Sequence, residues 1–388
     1  MRSRTVHLPT GPARETLLEA AAEIGRAPDF VLAFLPPDED GMSAHSVIAA
    51  MAAAWPESLR VGCEAVTQFA GSAMTGQGSV QLFWFDHPGP PHHHHVEVEI
   101  LSGCHEAPPA REAVDALAHR LAAADGALLL ADGLRFPVER FLSDLREGGE
   151  NAKPKVAGGL ASQREPVVRA GARVFVGDRI FPSACLAMTL HGFAMRIEVV
   201  RGWSPASPIY TVTQAEGRVA WEIDGEPATD WYRHFFTIDG ELAPMPETTY
   251  RFPLILEGPE SERRGLYRSL RFFDQPPGAV TFWGEIRTGD QVRLGMGNDL
   301  SLVRTASELA GTAATAETTE AAILYSCVGR EAVLGEKADQ EVAAIHRALG
   351  GIALSGFFTF GEIGPTPGGD LAFYNHTAVL VLLTEKPA

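Results

Sequence analysis

The sequence has few cysteines, a deficit of basic residues and no long apolar run. Its 388 residues contain 4 cysteines, which lie too far apart for the close pairs of a zinc knuckle or a redox motif. No stretch reaches the roughly 18 apolar residues that a membrane-spanning helix needs, and residues 1–28 lack the apolar centre of a signal peptide. We therefore expect a cytoplasmic protein with no disulfide framework, no structural zinc and no membrane partner.

The charge balance is strongly acidic. The chain carries 32 Lys plus Arg against 49 Asp plus Glu, a formal net charge of −17 at pH 7. Such a charge repels the phosphates of nucleic acids and anionic membrane surfaces. With 45% hydrophobic and 21% charged residues, the composition suits two ordinary globular domains. Nucleic acid is therefore excluded as the expected partner.

Several well-known catalytic and binding motifs are missing. The sequence has no Walker loop, dinucleotide glycine fingerprint, nucleophile elbow or His-Glu-x-x-His helix. His92–His95 follow a proline-rich stretch and could chelate a transition metal. Four consecutive side chains do not converge on one face, however, so this tract is typical of a polar hairpin tip. We therefore predict no metal site.

An internal repeat organises the chain. Three segments each contain an apolar strand, a helix, a strand with a central glycine and a further apolar strand. The copies span Phe30–Phe85, Ala127–Leu190 and Ala321–Leu383, and their central glycines are Gly62, Gly158 and Gly356. We expect these glycines in turns near a domain interface. Strands that alternate with single helices predict an α/β fold, with mixed β-sheets covered by helices in two related domains.

The region between the second and third copies has a different pattern of short strands and turns. Val212–Trp231 and Tyr250–Gly297 are predicted to form short strands, because turn residues punctuate them. Leu309–Thr319 fits either a helix or a linker. A domain boundary near Ala220 divides the chain into residues 1–220 and 221–388.

The densest group of polar residues next to glycines lies near the C-terminus. Gly361 and Gly364 flank Glu362, and Asn375 and His376 follow closely. Glycine lets a backbone approach a ligand closely, so Glu362 is predicted to project from a turn as an acceptor for an amine or guanidine. The alternative is that the glycines serve only the turn geometry and that Glu362 lies in solvent.

A second group follows the apolar strand Ala321–Ser326. Cys327 and Arg330 occupy the position where open α/β sheets collect ligands. Arg330 can form two parallel hydrogen bonds with a carboxylate or phosphate. Cys327 is either a thiol activated by that arginine or a buried, inert side chain.

These residues carry a family likeness. The stretches that resemble the FIST (F-box and intracellular signal transduction) family are Val61–Glu64, Val156–Ser162, Tyr210–Thr213, Trp221–Ala228, Ser326–Arg330, Gly356–Pro365 and Asn375–Thr377. The likeness extends over roughly Phe30–Leu383 in the expected order. It implies a FIST N-terminal domain followed by a FIST C-terminal domain.

The resemblance implies a sensory protein that binds a small ligand, amino acids being the usual suggestion. The expected ligand-binding residues are Cys327, Arg330, Gly361, Glu362, Asn375 and His376. No F-box pattern precedes Phe30 and no output region is visible, so the signal is expected to pass to a separate protein such as a histidine kinase.

Two alternatives stay open. Some bacterial relatives resemble haem-binding nitric oxide sensors, for which His191 and His376 are candidate axial ligands. An enzyme would use Cys327 as nucleophile, His376 as base and Glu362 to orient it, a set that can support acyl transfer. A sensor without catalytic residues remains the preferred interpretation.

Overall fold

The computed structural model describes residues 1–8, 13–22, 24–37, 44–86, 94–149, 155–163, 171–245, 247–257, 263–316 and 319–387. These residues form three related units and one inserted β-domain. Within the described ranges, no helix is long and apolar enough to cross a membrane.

Each unit has two or more helices and a similar set of strands. Unit 1 contains β1 (Arg2–His7), α1 (Ala13–Ala22), β2 (Phe30–Leu35), α2 (Ala44–Ala54), β3 (Leu59–Glu64), β4 (Gln68–Ala70), β5 (Ala73–Thr75) and β6 (Ser79–Trp84). Unit 2 contains β7 (His95–Ser102), α3 (Arg111–Ala123), β8 (Gly126–Asp132), α4 (Val138–Gly148), β9 (Val156–Ala161), β10 (Val174–Val176), β11 (Arg179–Phe181) and β12 (Ala184–His191).

Unit 3 is interrupted by the inserted domain. It starts with β13 (Phe193–Val200) and resumes after the insertion. The remaining elements are α6 (Asp299–Ala316), β25 (Ala321–Cys327), α7 (Val328–Leu334), α8 (Ala338–Ala348), β26 (Ala353–Thr359), β27 (Glu362–Pro365), β28 (Leu371–Tyr374) and β29 (Ala378–Glu385).

The inserted domain is antiparallel. It comprises β14 (Ser204–Pro205), β15 (Tyr210–Glu216), β16 (Val219–Ile223), β17 (Glu226–Pro227), α5 (Ala228–Phe236), β18 (Thr237–Ile238), β19 (Glu241–Leu242), β20 (Leu254–Glu257), β21 (Tyr267–Arg268), β22 (Leu270–Phe273), β23 (Val280–Phe282) and β24 (Gln291–Met296). Its core includes Trp231, Leu254 and Phe282, and it also covers Tyr374 of β28. The insertion thus packs directly on unit 3.

The same strand arrangement recurs in all three units and confirms the predicted α/β repeat. A parallel pair (β2 with β3, β8 with β9, β25 with β26) is joined by one antiparallel strand (β6, β12 or β29). The first strand of each pair is buried along its whole length, because one face packs on a common core and the other on its own helices.

The units exchange hairpins in a ring. The hairpin β4–β5 of unit 1 pairs with β26 of unit 3. The hairpin β10–β11 of unit 2 pairs with β3 of unit 1, and β27–β28 of unit 3 pairs with β9 of unit 2. Each of these three six-stranded sheets therefore contains strands from two units, which makes the three units interdependent for folding.

The repeat glycines lie inside strands, so their predicted place in turns is wrong. Gly62, Gly158 and Gly356 sit opposite equivalent residues of the neighbouring parallel strand. A Cβ added at these positions would lie 1.8, 2.1 and 1.9 Å from a backbone oxygen of that strand. Glycine is needed here for close approach of two backbones.

Two local predictions also need correction or completion. Residues 228–231 were expected in a strand but begin α5, because Ala228, Trp231 and Tyr232 recur at helical spacing and are all buried. The stretch Leu309–Thr319 fits either a helix or a linker by its sequence. In the structure it forms the last turns of α6 as far as Ala316. The last apolar strand starts at Ala378.

Candidate functional site

A buried arginine forms the centre of the candidate site. Arg330 lies on α7 and is fully buried, as is its ion-pair partner Glu341 on α8. The guanidinium also donates from Nη2 to the carbonyl oxygen of Leu302 at 3.4 Å. Its Nη1 atom is buried and has no hydrogen-bond partner among the described residues. The guanidinium, which was expected to bind a carboxylate or phosphate, is therefore already paired with a carboxylate of the protein.

Trp203 joins the arginine to a histidine. The guanidinium carbon of Arg330 lies 5.4 Å from the centroid of the indole ring, within range of a cation–π contact. The ring of His376 meets the same indole edge-on, with centroids 5.1 Å apart. Trp203 follows β13 and precedes the inserted domain, and its neighbour Tyr267 belongs to that domain. The site therefore lies where the insertion meets unit 3.

His376 is held in a tight turn between β28 and β29. Its backbone is in the left-handed region, with φ of 58°. A Cβ on Gly329 would lie 2.8 Å from the imidazole Cε1, so glycine at 329 is what admits the ring. Burial, with a smaller contribution from Arg330, lowers the pKa of His376 to about 3. The imidazole is therefore neutral, with one ring nitrogen as donor and the other as acceptor.

Unpartnered polar atoms gather around these residues. Within the described part of the chain, buried side-chain atoms without hydrogen-bond partners include Trp203 Nε1, Ser326 Oγ, Arg330 Nη1, Asn375 Oδ1 and both ring nitrogens of His376. We call these five residues the buried polar cluster. An unsatisfied buried polar group costs about 1–3 kcal/mol. The cluster therefore has donors and acceptors that are available for further hydrogen bonds.

Cys327 lies beside the cluster but is not activated. It ends β25 and caps α7, since its Sγ accepts the backbone N–H of Gly329 at 3.4 Å. Burial raises the pKa of the thiol, and the nearby Glu362 raises it further. Among the described residues, neither nitrogen of His376 has a hydrogen-bond partner, so no thiol–imidazole pair is formed. This geometry does not favour an acyl-transfer nucleophile.

Glu362 is the first residue of β27 and is completely buried, so it does not project from a turn or lie in solvent. Its carboxyl accepts the hydroxyls of Thr359 and Thr377 at 2.5 and 2.8 Å and the N–H of Thr377 at 3.2 Å. Burial nevertheless raises the pKa of Glu362 to about 8. The carboxyl is therefore largely protonated at neutral pH.

The pKa of Glu362 predicts a pH-dependent stability. A carboxyl whose pKa rises from 4.5 to about 8 on folding binds more protons in the folded state, so its contribution falls as pH rises through this range. Between about pH 5 and pH 8, we expect the free energy of unfolding of the wild type to fall by on the order of a few kcal/mol relative to that of Glu362→Gln. Urea unfolding of both proteins across that range measures the difference. His376 is present in both proteins, so its contribution to the pH dependence cancels. Parallel curves would show that Glu362 titrates normally.

Gly361 has a packing role. A Cβ there would lie 2.2 Å from the ring of Phe373, and the Gly361 carbonyl accepts the N–H of Leu160 in unit 2.

Of the six predicted site residues, the structure places Cys327, Arg330, Asn375 and His376 in one region. Gly361 and Glu362 lie behind it, at the junction with β9.

Sequence reasoning missed Trp203 and Glu341. Glu341 had a detectable signal, because it lies between Ala338 and Val342 on the buried stripe of an amphipathic helix. A charged residue on such a stripe requires a buried partner. Trp203 had no comparable signal, since its contacts depend on how the insertion packs.

A second, open site lies between α4, β28 and the inserted domain. This cleft has a volume of about 480 Å³ and contains none of the predicted site residues. Six arginines line it: Arg140, Arg146, Arg218, Arg263, Arg268 and Arg287. Carboxylates partly neutralise them, as Glu139 does for Arg218 and Arg268 at 3.4 and 3.5 Å. Its residues come from distant parts of the chain, so no local motif announces it.

The candidate haem ligands do not fit a haem group. The ring of His376 is enclosed by Trp203 and by the backbone of Gly329, which occupy the space a macrocycle would need. The ring of His191 stacks on His95 with centroids 4.6 Å apart. Neither imidazole lines the arginine-lined cleft or the smaller cavity beside β7.

The comparisons with known proteins agree with the sequence resemblance. The FIST N domain matches residues 29–226 and the FIST C domain matches residues 228–365. The uncharacterized proteins Mb0898c of Mycobacterium bovis and Rv0628c of Mycobacterium tuberculosis are each 28% identical over 273 residues. That alignment covers 66% of this chain and 67% or 68% of the relatives. FIST domains are sensory domains of signal transduction. The chain belongs to the FIST family.

Proposed function

We propose that this protein is a sensory module that binds a small zwitterionic ligand, such as a free amino acid, in the buried polar cluster. The observation that carries the proposal is the set of unpartnered buried polar atoms around Trp203, Arg330 and His376. A fully apolar interior would make the fold more stable, so the presence of these unpartnered polar atoms favours a binding role.

The donors and acceptors match the two ends of an amino acid. Arg330 Nη1 and the indole N–H of Trp203 are donors suited to a carboxylate. Asn375 Oδ1 and the neutral imidazole of His376 offer acceptors for an ammonium group. Glu362 was expected to bind the ammonium, but its protonation and its threonine partners fit a supporting role behind the cluster.

Ligand entry would couple the site to the inserted domain. Arg330 and His376 are fully buried, so a ligand reaches them only if a neighbouring element moves. Trp203 borders the insertion and its carbonyl accepts the hydroxyl of Tyr267 from β21 at 3.5 Å. Binding would therefore shift the position of the insertion on unit 3, and this shift is the signal that a separate protein, such as a histidine kinase, would read.

A cytoplasmic location fits this role. All four cysteines are free thiols, as in proteins of reducing compartments. The net charge of −17 disfavours nucleic acids and anionic membranes as partners.

The test is a thermal-shift and calorimetric screen of amino acids, together with matched carboxylic acids and amines that each lack one charge. Trp203→Phe keeps an aromatic ring but removes the N–H donor, and Asn375→Leu removes the acceptor at similar size. A hydrogen bond to a charged group contributes about 1.5–3 kcal/mol, so each variant should weaken binding about tenfold to a hundredfold. The loss for Trp203→Phe should concern ligands with a carboxylate, and that for Asn375→Leu ligands with an amine.

Trp231→Phe is the matched control. Trp231 is also buried with an unpartnered Nε1, but it lies in the core of the inserted domain. Its replacement should leave binding unchanged. If no compound stabilises the wild type, or if Trp231→Phe weakens binding as much as Trp203→Phe, the buried polar cluster is not the ligand site.

A further inference from the structure

A compact group of metal-ligand side chains lies at the outer edge of the unit 2 sheet, away from the buried polar cluster. His95 and Glu97 are on the edge strand β7 and His191 ends β12. His95 and His191 are paired across the two antiparallel strands. Because alternate strand residues share a face, Glu97 lies on the same side as His95. The Nε2 atom of His95 is 3.6 Å from Oε1 of Glu97.

The spacing of the donor atoms suits one ion. One ligand atom from each of His95, Glu97 and His191 lies within 4.8 Å of the others. In a tetrahedral zinc site with bonds of about 2.0–2.1 Å, ligand atoms are separated by roughly 3.3 Å. Side-chain rotations that move these ligand atoms by about 1.5 Å or less would therefore bring all three within coordination distance of one ion.

The imidazole of His191 also suits a metal. It stacks on that of His95, with centroids 4.6 Å apart and an interplanar angle of 9°. The Nε2 atom of His191 is buried and has no hydrogen-bond partner among the described residues. A neutral imidazole with a free lone pair is the form that binds a metal ion.

We propose that His95, Glu97 and His191 form a site for a divalent transition metal of the zinc class. Two imidazoles and one carboxylate provide three protein ligands, and a fourth position stays open to water because β7 is an edge strand and Glu97 is mostly exposed. His94 does not belong to the site, since its ring contacts Glu385 and the carbonyl oxygen of Lys386. His92 and His93 of the histidine tract lie outside the described residues.

Zinc titration of the full chain tests the site. We expect one zinc ion per chain, and at least about tenfold weaker binding for His191→Ala and for Glu97→Gln. Cobalt should give the visible absorption bands of a four- or five-coordinate ion in wild type but not in either variant. Glu97 is mostly exposed, so Glu97→Gln should fold normally even if His191→Ala does not.

The double variant His92→Ala/His93→Ala is the control for binding by the histidine tract alone. Under the proposal, it keeps the wild-type zinc affinity and the cobalt spectrum. If it abolishes binding while Glu97→Gln does not weaken it, the tract chelates the ion by itself and the proposal is wrong. Absence of zinc binding at micromolar concentrations would overturn it as well.

Discussion

Replacing Gly356 by alanine should destabilise the protein by more than about 3 kcal/mol or prevent its folding. A Cβ at this position would lie 1.9 Å from the carbonyl oxygen of Leu324 and 2.6 Å from the ring of Phe69. The oxygen belongs to the paired strand β25, so it cannot move aside without breaking the parallel pair. Phe69 comes from the hairpin that unit 1 contributes to this sheet. The substitution therefore affects both the pair and the exchanged hairpin.

Chemical denaturation of Gly356→Ala beside Gly311→Ala measures this effect. Gly311 lies on α6, and the nearest atom to an added Cβ there is 3.9 Å away. Alanine is the better helix former, so Gly311→Ala should gain about 0.5–1 kcal/mol. Equal stability of the two variants would contradict the close backbone approach at the repeat glycines.

Removing the carboxylate of Glu341 should lower the free energy of unfolding by about 3–5 kcal/mol. Glu341→Ala would leave the fully buried guanidinium of Arg330 without its counter-ion. The loss comes mainly from this unpaired buried charge, because a well-packed apolar pair of similar volume is often as stable. The double variant Arg330→Met/Glu341→Leu should therefore regain most of the stability.

The comparison pair is Arg304 with Glu308 on the exposed face of α6. Since both side chains are more than two-thirds exposed, Glu308→Ala should change stability by less than about 1 kcal/mol. A similar small loss for Glu341→Ala would mean that Arg330 reaches solvent. The double variant also separates folding from binding, because it should fold and yet lose response to carboxylate ligands.

The repeat could be predicted because each copy carries its own local pattern. Apolar runs such as Phe30–Leu35 and Ala321–Cys327 mark strands buried on both faces. The ring of exchanged hairpins could not be predicted, since β4, β10 and β27 pair with strands of other units. Such long-range pairing leaves no mark in the spacing of residues along the chain.

The candidate site was predicted only in part, for related reasons. A glycine gives the same signal in a turn and at a close backbone contact, so Gly356 was assigned to the wrong one. Arg330 and Glu362 were both expected among the ligand-binding residues because each follows an apolar strand. The intervening helix α7 instead directs Arg330 towards α8, where Glu341 binds it. Burial then changes the charge state of Glu362, which the sequence does not reveal.

Native mass spectrometry of freshly purified protein tests the central claim most directly. The buried polar cluster predicts that wild type and Trp231→Phe carry one small molecule, identified after release as a zwitterion with a carboxylate and an amine. Asn375→Leu should be isolated without it. The claim is contradicted if wild type carries no ligand and none of the screened compounds stabilises it. It is also contradicted if Asn375→Leu retains the molecule while Arg268→Ala, in the arginine-lined cleft, loses it.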